Sequence, residues 1–200
     1  MELEWENFRS SFEKFVVKDL EKALNTDIEV GIIILTVFGI ECLSGYFAGK
    51  DSDRETFKGF IDKFMPTYSI HSKTIYNCIR NGLAHDYIIK EIEGRSFLFT
   101  RNHGEKHLVP VEGKPKWYYL NRESFALDFL KAQKDFFEQV NRDEILSRSV
   151  LKRLQKESFL DVFSFNVKTI FADPNVKSEE YSSATGTVSR KPSICKNDPE

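Results

Sequence analysis

From Trp5 to Leu24, apolar side chains recur three and four positions apart as Trp5, Phe8, Phe12, Phe15, Val16 and Leu20, with glutamates and lysines between them. That period predicts an amphipathic helix with one buried face. Asn25-Thr26-Asp27 supplies a break and capping groups, and the chain then runs apolar on nearly every side from Ile28 to Gly49. An all-round apolar helix belongs in the middle of a bundle or in a membrane. Here Glu29 and Glu41 interrupt the run, and a glutamate near the centre of a span is costly in lipid, so the bundle is the expected place. The turn formers of GKDSD end this helix. A short third helix is expected over Asp53 to Phe64, with Phe57, Phe60, Ile61 and Phe64 on one side and Met65-Pro66 as its stop. In the next segment Ile75, Ile79 and Leu83 repeat every four residues, which predicts a helix from about Ser72 to His85. Gly82 within it costs about 1 kcal/mol relative to alanine.

Past that helix the period shortens. YIIKEIE, SFLFTR and KHLVPV are β-rich runs separated by Glu-Gly-Arg and Asn-His-Gly-Glu, so a small meander or irregular hairpin is expected over residues 87–111, inserted between helices. Helical spacing returns at Asn121, with Phe125, Leu127, Phe129, Leu130, Phe136, Phe137 and Val140 as the apolar set, and resumes from Asp143 to Leu160 after a short break. The expected architecture is therefore a mainly α bundle over residues 1–171 with a β insertion. Residues 172–200, rich in Ser, Thr, Pro, Lys and Glu, have too little apolar surface to offset ordering entropy and read as a flexible tail.

Composition narrows the function. Forty per cent of the 200 residues are apolar and 18 are phenylalanine, ample for a packed core. With 29 Lys and Arg against 31 Asp and Glu, the net charge of -2 excludes a strongly basic nucleic-acid module. Cys42, Cys78 and Cys195 lie far apart without zinc-ligand spacing, and the acidic, aromatic start lacks the features of a secretory signal, so a reducing cytoplasm is expected. No phosphate-binding glycine loop, GxSxG or HExxH occurs, which leaves nucleotide-hydrolase, dehydrogenase, serine-hydrolase and zinc-protease readings without support.

The chemistry is concentrated in Ile79-Arg80-Asn81-Gly82-Leu83-Ala84-His85-Asp86-Tyr87, where a guanidinium, an amide and an imidazole gather within six residues of an otherwise apolar helix end. RNA cleavage through a 2′-hydroxyl needs a proton carrier with a pKa near neutral, which imidazole supplies. It also needs a permanent cation for the phosphate oxygens, which guanidinium supplies. Asn81 and His85 are four apart and share a helix face, whereas Arg80 and His85 are separated by about 140° at 100° per residue. The pattern Arg-polar-x-x-x-His near a helix C-terminus in an all-α frame resembles the HEPN domain family. That resemblance implies a metal-independent endoribonuclease with no cofactor. It assigns Arg80 and His85 as the catalytic pair and Asn81 as the residue that positions them, in a composite site formed by a homodimer. It further implies single-stranded RNA as substrate, an antitoxin or regulatory protein as partner, no membrane, and defence, toxin or stress roles. Domains of this family also serve as non-catalytic dimerisation or nucleotide- and protein-binding modules. An Arg and a His at a helix C-terminus equally complement the helix macrodipole.

Glu41, mid-helix among Phe38, Ile40, Cys42 and Leu43, needs a partner or a path to solvent. Pairing with Arg80 or His85 would make it a supporting site residue. Lys114, Lys116, Trp117, Tyr118 and Arg122 mix bases with aromatics in a manner suited to single-stranded RNA, although sheet packing followed by a helix cap explains them as well. Arg148, Lys152, Arg153 and Lys156 form a basic helix side that is either a phosphate contact or a solvated face. His103 and His107, with Glu105, flank a turn that reads as exposed, and no metal site is expected from them. His71, at the start of its helix, reads as a local hydrogen-bonding residue.

Overall fold

The computed structural model of the protein describes residues 2–26, 28–101 and 104–156. The tail expected at 172–200, the stretch 157–160 expected to end the last helix, His103 and Cys195 lie outside the described residues. The first amphipathic strip forms α1 (Glu2–Phe12) and α2 (Lys18–Asn25), joined without a break by a π turn over Glu13–Val17. The apolar run forms α3 (Glu29–Ala48). α4 (Arg54–Phe64) follows, opened by a reciprocal cap in which the Asp53 carboxylate accepts from the Thr56 amide at 2.8 Å and the Thr56 hydroxyl accepts from the Asp53 amide at 2.8 Å. Hydrogen bonds from Lys50 and from the Thr56 amide hold the Asp53 carboxyl at a pKa of about 2.

A 3₁₀ turn over Pro66–His71 leads into α5 (Ser72–Thr74), a π turn over Ile75–Arg80, and α6 (Asn81–Asp86), which together form one unbroken helical run. α7 (Arg122–Val140) and α8 (Glu144–Lys156) complete the helical frame. Val37 and Ile40 of α3, Phe57 and Phe60 of α4, and Phe125, Phe129 and Phe136 of α7 are at most 1% exposed. Phe8 of α1 packs at a tilt on Tyr46 of α3 with ring centroids 4.0 Å apart, and Phe60 meets Phe136 edge-on at 5.8 Å. The Phe129 ring of α7 packs directly over Gly39 of α3, where an added Cβ would collide with the ring, so a larger residue there would require the ring to shift. α3 is the helix among the described residues that is long and apolar enough to cross a membrane, and 56% of its most apolar window is buried within the fold. Leu127, expected in the core set of α7, is instead 47% exposed.

The sheet differs from the expected meander. Its strands are β1 (Ser96–Thr100), β2 (Pro110–Val111) and β3 (Lys114–Asn121), in the spatial order β1-β3-β2. β3 is central, parallel to β1 and antiparallel to β2. Two things moved the boundaries. Glu112-Gly113 is a tight turn, with Gly113 at φ 72°, so the chain doubles back and Lys114–Asn121 enters the sheet, ten residues beyond the expected limit of 111. Tyr87–Glu91 is not a strand, because its backbone groups bond the helix it has just left. The Ile88 amide donates to the Gly82 carbonyl at 3.3 Å and the Lys90 amide to the Cys78 carbonyl at 3.0 Å. This return explains Gly82: a Cβ there would sit 2.2 Å from the Ile88 carbonyl oxygen.

Candidate functional site

The helical run from Ser72 to Asp86 packs its Ile75, Cys78, Ile79 and Leu83 side inward and turns Tyr76, Arg80 and Asn81 toward a half-buried boundary beside α3. The π turn ends at Arg80, and the Asn81 amide bonds the carbonyl of Tyr76, five residues back. An i→i+5 turn widens the helix, and such turns cluster at functional sites.

Arg80 is the centre of the arrangement. Its Nε donates to Glu41 Oε2 at 2.9 Å, its Nη2 donates to Glu41 Oε1, and its Nη1 donates to Asn81 Oδ1 at 3.0 Å. The guanidinium also lies 5.5 Å from the centre of the Tyr76 ring. The arginine and glutamate side chains are 22% and 18% exposed, so the fork-on-fork pair is shielded but not sealed. The Glu41 hydrogen bonds raise the Arg80 pKa still further, against a smaller opposing effect of burial. Three of the five guanidinium N–H groups are thus used within the chain, leaving two for a ligand.

The Arg80 guanidinium thus reaches the amide oxygen of its chain neighbour, Asn81. His85, one turn on, is exposed and hydrogen-bonds to none of the trio. The structure therefore brings Glu41, Arg80 and Asn81 into contact, with His85 outside that hydrogen-bonded set. Tyr76 escaped notice in the sequence, where only its position four residues before Arg80 marks it.

The other expected contacts divide. Arg122 is 5% exposed and donates its Nη1 to Glu29 at 3.0 Å, so it ties the start of α7 to the start of α3 and is no surface base. Arg148 pairs with Glu144, while Arg153 and Lys156 both bind Asp51, so three of the four bases on α8 are engaged within the protein. Lys152 stays exposed. Tyr118 points inward, its ring 4.4 Å from that of His71. Lys114 and Lys116 are exposed and Trp117 is half-buried.

His71, expected to bond locally, is instead 5% exposed and packed edge-on against Tyr118 and Phe97. His107, expected to be exposed, is half-buried. Its Nδ1 accepts from the Asn121 amide at 3.0 Å and its Nε2 lies 3.0 Å from the Tyr68 hydroxyl, which donates to Asp128 at 2.8 Å. An accepting Nδ1 places the proton on Nε2, so the ring donates to Tyr68. Burial lowers the pKa of both histidines, and burial followed by Asp128 raises that of Tyr68. The described cysteines are poor nucleophiles, since burial pushes the Cys42 thiol up to about 12 and also raises that of Cys78.

No protein-family model, curated protein or solved structure matches the chain.

Proposed function

We propose that the protein is a metal-independent endoribonuclease of HEPN type, acting as a homodimer whose active site combines Arg80, Asn81 and His85 from both protomers. The observation that carries this reading is the Glu41–Arg80–Asn81 trio, which holds a cation with two unused N–H groups on a helical run that carries an exposed imidazole four residues beyond Asn81. In the proposed reaction a 2′-hydroxyl attacks the adjacent phosphorus and the 5′-oxygen of the next nucleotide leaves. One His85 takes the proton from the attacking hydroxyl and the other gives a proton to the leaving oxygen, so the reaction needs two imidazoles in opposite states. Arg80 binds the non-bridging oxygens as negative charge gathers on them. The products are a 2′,3′-cyclic phosphate and a free 5′-hydroxyl.

The test is cleavage of single-stranded RNA in EDTA. Wild-type protein is expected to yield cyclic-phosphate ends and leave DNA intact, while Arg80→Ala and His85→Ala lose cleavage with unchanged circular dichroism. Cleavage that survives His85→Ala, or that requires magnesium, would overturn the assignment.

One observation favours a second reading, a non-catalytic HEPN-like binding module. Arg80 spends its Nε and Nη2 on Glu41 and so also pins the Ser72–Asp86 run to α3. On that reading Arg80→Ala lowers the melting temperature and the wild type cuts no RNA.

A further inference from the structure

β3 divides its side chains by the period of two. In the regular pairing with β1, Phe97 stands opposite Tyr118 and Leu98 opposite Tyr119. Phe97 and Tyr118 both meet the buried His71, so that face looks inward. Trp117, Tyr119 and Leu98 therefore belong to the opposite face, where Leu98 is 44% exposed and the two rings are partly open. Trp117 and Tyr119 stand two residues apart on one strand, about 6.6 Å at 3.3 Å per residue.

Each ring carries a cation. Lys114 Nζ lies 3.7 Å from the centre of the Trp117 ring, and Lys106 Nζ lies 5.0 Å from the centre of the Tyr119 ring. Neither lysine has a carboxylate partner among the described residues, and both are exposed. Two ammonium groups parked over neighbouring rings of one sheet face form a patch that is both cationic and aromatic. Unpaired nucleotides match both parts of that pairing: a base stacks on a ring, and the ammonium it displaces moves to the phosphate. Base stacking outweighs an exposed ammonium–ring contact, so the exchange runs toward binding. Sheet faces carrying spaced aromatics hold successive unpaired bases in this way.

We infer that Trp117, Tyr119, Lys106 and Lys114, flanked by Leu98, form a stacking platform for single-stranded nucleic acid, separate from the Arg80 site. That the strand is RNA rests on the functional reading above; the platform itself rests on the sheet. It replaces part of the sequence-based set, since Tyr118 and Arg122 are turned inward while Tyr119 and Lys106 take their places.

The platform predicts a specific optical signal. Trp5 is 8% exposed, so quenching of the protein's tryptophan emission by an added oligonucleotide reports Trp117. Single-stranded oligouridylate, added to His85→Ala protein so that it survives, and oligothymidylate, added to wild type, are both expected to quench. Duplex RNA is not. Trp117→Ala should weaken oligonucleotide binding about tenfold while Trp117→Phe retains most of it, since stacking on a ring is worth about that factor per base. Lys106→Gln with Lys114→Gln should leave the quenching at low salt and flatten the salt dependence of log K by about 1.4, or about 0.7 for each phosphate no longer neutralised. Binding that leaves Trp117 emission unchanged, equal affinity for duplex, or quenching by anionic lipid vesicles but not by oligonucleotides would each overturn the platform. RNA cleavage that is indifferent to Trp117→Ala at sub-saturating substrate would also count against it. Loss of cleavage with Trp117-dependent binding intact would overturn the nuclease reading alone.

Discussion

Glu41 and Arg80 are 39 positions apart in the chain and meet through two hydrogen bonds. The physical need was visible beforehand: a carboxylate in the middle of the most apolar helix demands a cation or solvent. Which of these satisfies it depends on how the Ser72–Asp86 run lies against α3. The two substitutions of Glu41 separate holding the guanidinium from filling the space. Glu41→Gln keeps the shape and one acceptor, and is expected to cost about 1 kcal/mol of stability while lowering RNA cleavage about tenfold. Glu41→Ala removes both acceptors and leaves a half-buried cation facing a gap, so about 1–3 kcal/mol of stability should be lost together with cleavage. Chemical denaturation and a cleavage assay on the same preparations check this. Equal cleavage by wild type and Glu41→Gln would show that the pair only braces the helices.

Between elements, the junction of β3 and α7 concentrates the polar contacts. Asn121 ends the strand, caps the helix by accepting from the Ser124 amide at 2.9 Å, and donates its backbone N–H to His107. A second proton on His107 would set N–H against N–H at this junction. Burial lowers its pKa in the fold, so near pH 6 the unfolded chain holds more protons than the folded one. The stability contributed by neutral His107 is therefore complete above the unfolded value of about 6.5, falls as pH drops below it, and levels off once the lower folded pKa is passed. His71 acts in the same sense. The urea midpoint is expected to fall between pH 7 and pH 5, and to fall less in His107→Asn, whose amide oxygen can replace Nδ1 as acceptor without titrating. An unchanged slope in that variant would assign the pH dependence elsewhere. None of this showed in the chain itself, because NHGEKH has the composition of an exposed turn. It is Tyr68 and Asn121, from distant segments, that enclose the ring.

For the molecule as a unit, the decisive question is how many imidazoles the site contains. One protomer offers a single, exposed His85, and the proposed reaction needs one proton acceptor and one donor. Sedimentation at micromolar concentration is expected to give twice the chain mass of 23.3 kDa. Mixing Arg80→Ala with His85→Ala protomers should then yield less cleavage than wild type, because every dimer lacks at least one site residue. A strict monomer that still cuts RNA would remove the composite site from the reading.

Helix positions followed from local rules that act within a few residues. Apolar spacing set the buried faces, Asp53 and Asn121 capped the helices that follow them, and Pro66 ended the helix before it. That Arg80 and Asn81 lie side by side on a helix was legible for the same reason. The sheet was not, because the parallel pairing of Ser96–Thr100 with Trp117–Asn121 joins segments that carry no mutual signal along the chain. Side-chain fate was equally invisible for bases. Arg122 and Lys114 have similar surroundings in the sequence, yet one is buried against Glu29 and the other lies over an open indole ring. A charge next to an aromatic is compatible with either place, and only the packing of α3, α7 and β3 determines which carboxylates come within reach.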